Sequence, residues 1–130
     1  MRVTRESLES IAVDRLAGFL TDVIRLPTKT RILLNDSSYI DVHFSHVLRG
    51  RFSFHWERRH LDGRVYRYDN FPDRAARSLR SFPRHFHRGR QAPVVLPLFR
   101  ARPDLGFSDF LDFVREQLGR SRHVIQCMEE

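Results

Sequence analysis

The chain has 130 residues, of which 41% are hydrophobic, and its formal net charge is +7. This length suits one domain with a single core, predicted over residues 1–130, and the composition excludes a disordered chain. No apolar run approaches the roughly 18 residues needed to cross a bilayer, so no membrane partner is expected.

The first predicted element is a long amphipathic helix. Apolar side chains recur at helical spacing from Leu8 to Ile24, which is the pattern of a helix with one buried face. Thr4 is a suitable N-cap, and Pro27 is expected to stop the helix. The charged residues along this segment argue against a signal peptide.

Four strands are predicted after this helix. Their residues alternate between apolar and polar, or are rich in β-branched and aromatic side chains. The segments are 30–34, 38–46, 51–58 and 64–69. Asp62-Gly63 is a strong hairpin signal between the last two. The pattern therefore predicts an α+β fold with a four-stranded antiparallel meander sheet.

The pattern changes after the fourth strand. Residues 71–93 contain three prolines and many arginines, which predicts a long surface loop with a short helix at 73–80. A short strand is predicted at 94–96. A C-terminal helix, capped by Ser108, is expected to pack on the sheet, and residues 121–130 are expected to fray.

Positive charge is concentrated between residues 43 and 90. This segment contains 12 arginines against four acidic residues, a balance of +8, and six of the seven histidines. A localised basic segment predicts a polyanionic partner, either nucleic acid or an acidic protein. The single cysteine, Cys127, cannot form an internal disulfide and suits a reducing compartment, so a cytoplasmic protein is predicted.

Strand parity separates core residues from candidate site residues. Trp56 and the phenylalanines two and four residues before it are expected to face the helices, which directs His55 to the opposite face. In the fourth strand, either Tyr68 or the pair Arg67 and Asp69 shares the face of His55. The sequence leaves both arrangements open.

Several motifs together resemble the TumE family of toxin–antitoxin toxins. They are Phe52-Ser-Phe-His-Trp56, Asp62-Gly63, Arg67-Tyr68-Asp69-Asn70, Phe82-Pro-Arg-His-Phe-His87 and the helical Asp109-Phe-Leu-Asp-Phe113. The resemblance covers most of residues 38–118. It departs at Phe71-Pro72-Asp73-Arg74, where the family has Ala-Pro-His-His, and at Arg84, where the family has a histidine.

The resemblance implies a small toxin that acts on RNA and is neutralised by a cognate antitoxin, for example a helix-turn-helix protein. The predicted helix and meander also resemble small metal-independent ribonucleases of the RelE and barnase type, an analogy of fold alone. An exposed strand edge favours pairing with another chain, so a homodimer or a toxin–antitoxin hetero-oligomer is expected.

The candidate catalytic residues suit RNA cleavage by attack of a ribose 2′-OH. His55 or His85 is predicted to act as general base and His87 as general acid. Arg67 is predicted to bind the phosphate through its planar guanidinium. Asp69 is expected to orient a histidine or to pair with Arg67. No cofactor is required by this chemistry.

Nucleic-acid contacts are predicted for Tyr68, by stacking on a base or bonding a phosphate, and for Arg84, Arg88 and Arg90. The remaining histidines are expected to be surface residues: His43, His46, His60 and His123.

Two alternatives remain open from the sequence. The histidines His85 and His87, with His55 or Asp69, are of the type that binds a metal ion, although a metal-free site is favoured. The chain is interpreted as an endoribonuclease or, alternatively, as a non-catalytic module that binds nucleic acid or the antitoxin.

Overall fold

The computed structural model describes residues 2–45 and 47–129, with side chains described up to residue 120. The elements are α1 (Arg5–Arg15), β1 (Leu20–Arg25), β2 (Thr30–Leu34), β3 (Tyr39–Phe44), β4 (Phe52–Arg58), α2 (Arg59–Asp62), β5 (Arg64–Asp69), a 3₁₀ turn (Arg74–Ala76), β6 (His85–Arg88), β7 (Val94–Val95) and α3 (Pro103–Glu129).

Seven antiparallel strands form one sheet within the described residues, in the order β1 to β7. Each strand pairs with the next along the chain, so the sheet is a meander with β1 and β7 at its edges. The α+β class is confirmed, but the prediction of four strands is wrong. The four predicted strands correspond to β2–β5, and β1 and β6 are strands that the sequence pattern did not indicate.

The N-terminal helix is shorter than predicted. Thr4 does cap it, because its hydroxyl oxygen accepts a hydrogen bond from the Ser7 amide at 3.0 Å. The helix nevertheless ends at Arg15, and Gly18 then adopts a positive φ of 89° that turns the chain. Residues Leu20–Arg25 form β1 and pair with β2. Their apolar spacing continues that of the helix, and pairing with β2 makes this segment a strand.

The predicted loop at 71–93 contains two elements. Strand β6 pairs with β5 and places Phe86, 0% exposed, in the core. The turn at Arg74–Ala76, capped by the Asp73 side chain, lies within the helix predicted at 73–80. Beyond this segment the short strand β7 confirms the strand predicted near Val94.

Helix α3 begins at Pro103 rather than at the predicted cap Ser108, which is buried within it. It packs against β4 and against α1. Its backbone is helical as far as Glu129. The side chains of 121–130, the segment expected to fray, lie outside the described residues. None of the described helices is long and apolar enough to span a membrane.

An aromatic core lies between the sheet and the two long helices. It includes the predicted β4 residues, tyrosines of β5, and residues from β6, α3 and the segment before α3. Its main aromatic members are Phe52, Phe54, Trp56, Tyr66, Tyr68, Phe86, Phe99, Phe107 and Phe110. Because this core occupies one face of the sheet, the opposite face of β3–β6 is left for polar residues.

Candidate functional site

Polar side chains form two rows across the sheet face that points away from α1 and α3. Residues paired directly across antiparallel strands point to the same face, so the register defines each row. The first row is His43, Ser53, Asp69 and His85. The second row is Asp41, His55, Arg67 and His87.

The burial of the β5 tyrosines decides between the two arrangements that the sequence left open. Tyr66 and Tyr68 are 6% and 0% exposed and belong to the core. Arg67 and Asp69 therefore share the face of His55. The sequence predicted that side chains of β5 alternate between the two faces of the sheet. The contacts of Tyr66 with Phe113 of α3 and of Tyr68 with Phe99 show which face is buried.

Four side chains meet where β5 and β6 run side by side, and we call them the Asp69 cluster: Arg67, Asp69, His85 and His87. Arg67 Nε lies 3.0 Å from Asp69 Oδ2, and Arg67 Nη2 lies 3.0 Å from His87 Nε2. Asp69 and both histidines are no more than 3% exposed. A buried carboxylate needs charged or hydrogen-bonding partners, and the Arg67 guanidinium supplies them.

His87 is held as a neutral imidazole by its two neighbours. Its Nδ1 lies 2.7 Å from the Gln91 carbonyl, which can only accept, so Nδ1 carries the proton. Its Nε2 then accepts a hydrogen bond from Arg67. Burial lowers the pKa of His87, and the adjacent Arg67 charge adds to this effect.

The His85 ring is fixed by a similar backbone hydrogen bond, but its second nitrogen faces different neighbours. Its Nδ1 lies 2.9 Å from the Pro83 carbonyl, so this nitrogen also carries a proton. Its Nε2 lies 3.4 Å from Asp69 Oδ1 and 4.0 Å from Asp73 Oδ2. The nitrogen that could exchange a proton with a substrate therefore points toward carboxylates rather than toward the guanidinium.

His55 lies opposite Arg67 in the second row, beside the Asp69 cluster. Its Nε2 is 3.2 Å from Glu57 Oε1, and burial lowers the His55 pKa. Glu57 is held chiefly by the Arg59 guanidinium, which lowers the pKa of this carboxyl to about 2. The structure thus gives His55 a carboxylate partner of its own.

Replacing Glu57 by glutamine should reduce the loss in free energy of unfolding that occurs as the pH falls. Because the Glu57 pKa falls from 4.5 to about 2 on folding, its carboxylate stabilises the fold above pH 4.5 and loses this effect as the pH falls toward 2. The full shift corresponds to about 3 kcal/mol. Solvent around Arg59, whose side chain is 60% exposed, should reduce it to about 1–2 kcal/mol.

Urea unfolding at about pH 7 and about pH 3 would measure this difference for the wild type and for E57Q. Glu116→Gln is the matched control, because Glu116 forms an exposed ion pair with Arg120 on α3. The assignment would be contradicted if the loss of stability between the two pH values were the same in E57Q as in the wild type. It would also be contradicted if E116Q reduced this loss as much as E57Q.

A cleft opens beside the Asp69 cluster. Its lining includes the whole first row and Arg67, and adds residues from the β2 hairpin and from the segment after β5. The further lining residues are Thr28, Lys29, Phe71 and Asp73. His85 and Asp69 reach this cleft, whereas His87 and His55 are not among its lining residues. The predicted site residues are therefore close together but not equally accessible to a ligand.

His43 is the main cleft residue that the sequence analysis missed. It was predicted to be a surface histidine, yet it shares the first row with Asp69 and His85 and lines the cleft. Its Nδ1 lies 2.7 Å from the Thr28 carbonyl, which leaves Nε2 for other partners. The alternation of β3 was readable, but its register against β4 and β5 was needed to find this role.

Phe71 and Lys29 add an aromatic ring and a cation to the same cleft. The Phe71 ring centroid lies 6.1 Å from that of His43 and 5.6 Å from the Arg51 guanidinium carbon. Lys29 Nζ lies 2.8 Å from Asp41 Oδ2. An exposed aromatic ring and flanking cations are the groups that bind single-stranded nucleic acid.

Tyr68 and Arg84 contact each other on the core side of the sheet, and the position of Tyr68 corrects its predicted role in stacking on a base. Tyr68 is 0% exposed, so its ring offers no face on which a base could stack. Its hydroxyl donates to the Arg100 carbonyl at 3.0 Å and accepts from Arg84 Nη1 at 3.1 Å. Arg84 Nη1 also donates a hydrogen bond to the Phe99 carbonyl, so Arg84 links β5 to the segment before α3.

Arg88 and Arg90 are exposed, but they lie away from the Asp69 cluster. Both line a groove with Arg64 and Arg120, and the Arg88 guanidinium lies over the Phe113 ring of α3 at 5.8 Å. They thus belong to the helix side of the sheet. Of the other predicted surface histidines, His46 and the side chain of His123 lie outside the described residues.

Three side chains of the kinds that bind metal ions, one carboxylate and two imidazoles, converge in the Asp69 cluster. One ligand atom from each of Asp69, His85 and His87 lies within 4.8 Å of the other two. His55 is not a member of this group, so of the two sets considered from the sequence, the one with Asp69 is brought together. The cluster can therefore accept protons, hold an anion through Arg67, or hold a cation through its lone pairs.

Comparison with known proteins identifies one family. The family model described as Toxin TumE matches residues 4–118, which include all seven strands, both rows and the cleft. No curated protein and no solved structure matches the chain. The resemblance carried by the β4–β5 hairpin and the His85 motif is confirmed. The chain therefore belongs to the TumE family and is the toxin of a toxin–antitoxin system.

Proposed function

We propose that this toxin is a metal-independent ribonuclease that cleaves RNA through attack of a ribose 2′-OH on the adjacent phosphate. The observation that carries the proposal is the position of His85 in a cleft that also presents Arg67, Lys29 and His43. A proton acceptor, phosphate-binding cations and a second histidine in one cleft are the groups that this reaction requires.

His85 is the proposed general base. It takes the proton from the 2′-OH, and the 2′ oxygen forms a bond to phosphorus. The hydrogen bond from Nδ1 to Pro83 fixes the ring so that Nε2 receives that proton. Asp69, 3.4 Å from Nε2, stabilises the imidazolium that results. His55, the other base predicted from the sequence, is bonded to Glu57 and lies outside the cleft lining.

Arg67 is proposed to stabilise the charge that develops on the phosphate. Two of its donors are used by Asp69 and His87, and a guanidinium has five. The remaining donors are available to phosphate oxygens. His87, predicted as the general acid, has partners at both ring nitrogens, so in this proposal it positions Arg67 instead.

His43 is the proposed general acid. It protonates the 5′ oxygen as the bond from phosphorus to that oxygen breaks, which leaves a 2′,3′-cyclic phosphate. His43 and His85 lie three strand spacings apart, about 14 Å between Cα atoms, with both side chains lining the cleft. A phosphate between them would have one histidine on each side, as an in-line displacement requires.

The departure from the family pattern falls within this same cleft. Phe71 and Asp73, which stand where the family has alanine and histidine, both line it. The two replacements thus add an aromatic ring and a carboxylate to the lining of the cleft. This supports an active toxin with an altered set of cleft residues.

The alternative is a non-catalytic module that binds nucleic acid or the cognate antitoxin. The groove formed by Arg64, Arg88, Arg90 and Arg120 favours it, because it offers cations on the face opposite to the Asp69 cluster. An acidic segment of an antitoxin, such as a helix-turn-helix protein, or the backbone of RNA would complement this charge.

Purified toxin, freed of antitoxin and incubated with RNA in excess chelator, separates the two functions. The ribonuclease should release fragments that end in 2′,3′-cyclic phosphate. Binding without any cleavage, with or without added metal ions, would support the binding module. Cleavage that appears only after a divalent metal is restored would overturn the metal-independent mechanism.

A further inference from the structure

Lone pairs of Asp69 and His87 point at the positively charged guanidinium of Arg67. Asp69 Oδ2 and His87 Nε2 each lie 3.0 Å from a nitrogen of the Arg67 guanidinium. His85 Nε2 faces Asp69 Oδ1 across 3.4 Å. When His85 is neutral, its proton lies on Nδ1, so two acceptors face each other. A positive charge between them removes this repulsion.

Both histidines have the arrangement that orients a metal-binding imidazole. In each ring, Nδ1 donates to a backbone carbonyl, that of Pro83 for His85 and that of Gln91 for His87. Such a bond fixes the tautomer, directs the Nε2 lone pair at the ion and raises its basicity. Because the carbonyls belong to the loops that flank β6, the orientation is built into the fold.

The distances approach those around a small tetrahedral ion, because one ligand atom from each of the three residues lies within 4.8 Å of the other two. A tetrahedral Zn²⁺ with bonds of about 2.0–2.1 Å separates its ligand atoms by about 3.3 Å. His85 Nε2 and Asp69 Oδ1 are already 3.4 Å apart, and His87 Nε2 and Asp69 Oδ2 are 3.9 Å apart. Asp73 Oδ2, 4.0 Å from His85 Nε2, can provide a fourth ligand after a small rotation.

We propose that the Asp69 cluster binds a zinc-class transition metal ion through Asp69, His85 and His87, and that this ion takes the place of the Arg67 guanidinium. Two nitrogen ligands favour Zn²⁺, Co²⁺ or Ni²⁺ over Mg²⁺ and Ca²⁺, which prefer oxygen. The Arg67 side chain is 26% exposed, so it can turn into the cleft when the ion enters. Arg67 is therefore an internal competitor of the metal.

The regulatory consequence rests on the proposed ribonuclease mechanism, whereas metal binding itself does not. An ion on His85 Nε2 occupies the lone pair that would accept the 2′-OH proton. It also displaces Arg67 from the position where Asp69 and His87 hold it. Zinc binding should therefore inhibit the metal-independent cleavage of RNA.

Binding is tested on the full chain after metal removal, by titration with Zn²⁺ against a colorimetric chelator and with Co²⁺ by visible absorption. The wild type should bind one equivalent, and Co²⁺ should give the intense bands of tetrahedral coordination. Asp69→Asn and His85→Ala should weaken binding about 100-fold or more, since each removes a ligand. His60→Ala, a change to an exposed histidine bonded to the Ser37 carbonyl, should bind normally.

Arg67→Ala makes the test specific and guards against variants that merely unfold. Removal of the internal competitor should tighten Zn²⁺ binding, and the ion should raise the melting temperature of R67A more than that of the wild type. Absence of binding, equal binding in H85A, or weaker binding in R67A would overturn the proposal.

The activity measurement distinguishes this proposal from the proposed function. Inhibition of cleavage by one equivalent of Zn²⁺ supports both. If zinc binds the Asp69 cluster and cleavage continues unchanged, the metal site is correct and the catalytic role of His85 is not. If zinc binds the Asp69 cluster and increases cleavage, the metal site is again correct. The inhibition inferred above and the metal-independent mechanism are then overturned.

Discussion

Replacing His85 by alanine is expected to lower the rate of RNA cleavage by about 10²- to 10⁴-fold, the usual contribution of a general base. The affinity for RNA should change little, because Arg67, Lys29 and Phe71 remain in the cleft. Single-turnover cleavage and a separate binding titration would measure the two effects. The rate falls because the variant lacks Nε2, the proposed proton acceptor, which lies 3.4 Å from Asp69 Oδ1.

His85 is 1% exposed, so its replacement could also disturb the fold. His85→Gln provides a second variant of similar length, whose amide is polar but has no basic nitrogen. Its melting temperature reports on folding. His60→Ala is the control for loss of a surface histidine. Wild-type cleavage by a folded H85Q variant would exclude His85 as the base.

Replacing Arg67 by lysine is expected to lower the cleavage rate by about 10²- to 10³-fold, although the positive charge is kept. A lysine ammonium cannot bond Asp69 and His87 side by side and still present a planar pair of donors to phosphate. The Arg67 contacts at 3.0 Å to both neighbours show how strongly this geometry depends on the guanidinium. The effect should appear in kcat more than in KM.

Arg88→Lys is the matched control, because Arg88 is an exposed arginine of the neighbouring strand on the other face of the sheet. Its cleavage rate should stay near that of the wild type. If R88K lost activity as much as R67K, the reaction would have to be assigned to the groove on the helix side. The Asp69 cluster would then be a structural ion pair.

The central strands of the fold were predictable because their local signals agree with their tertiary contacts. Residues 30–34 and 64–69 were bounded correctly, and the helix-facing role of Trp56 is confirmed by its burial. In β4, apolar alternation and packing against α3 point to the same answer. The turn at Gly63, with a φ of 76°, was indicated by Asp62-Gly63.

Strands β1 and β6 could not be predicted from local pattern. The apolar residues of Leu20–Arg25 continue the helical spacing of α1, and only pairing with β2 makes this segment a strand. In β6, Phe86 is the single apolar residue among histidines and an arginine. Its strand is specified by pairing with β5 and by burial of that one ring.

The candidate site was predictable in composition but not in geometry. Arg67, Asp69, His85 and His87 were singled out by charge and residue type, and the structure brings them together. The place of His43 in the first row, with Asp69 and His85, required the register of three strand pairs. The burial of Tyr68 required the position of Phe99, which lies outside the β4–β5 hairpin.

The most direct test of the proposed mechanism uses an RNA oligonucleotide whose cleavage position has been mapped, together with a copy that carries a single 2′-deoxy nucleotide at that position. Because the 2′ oxygen is the proposed nucleophile, the wild-type toxin should cleave the first in excess chelator and leave that bond of the second intact. Cleavage of the 2′-deoxy bond at a comparable rate would contradict the mechanism.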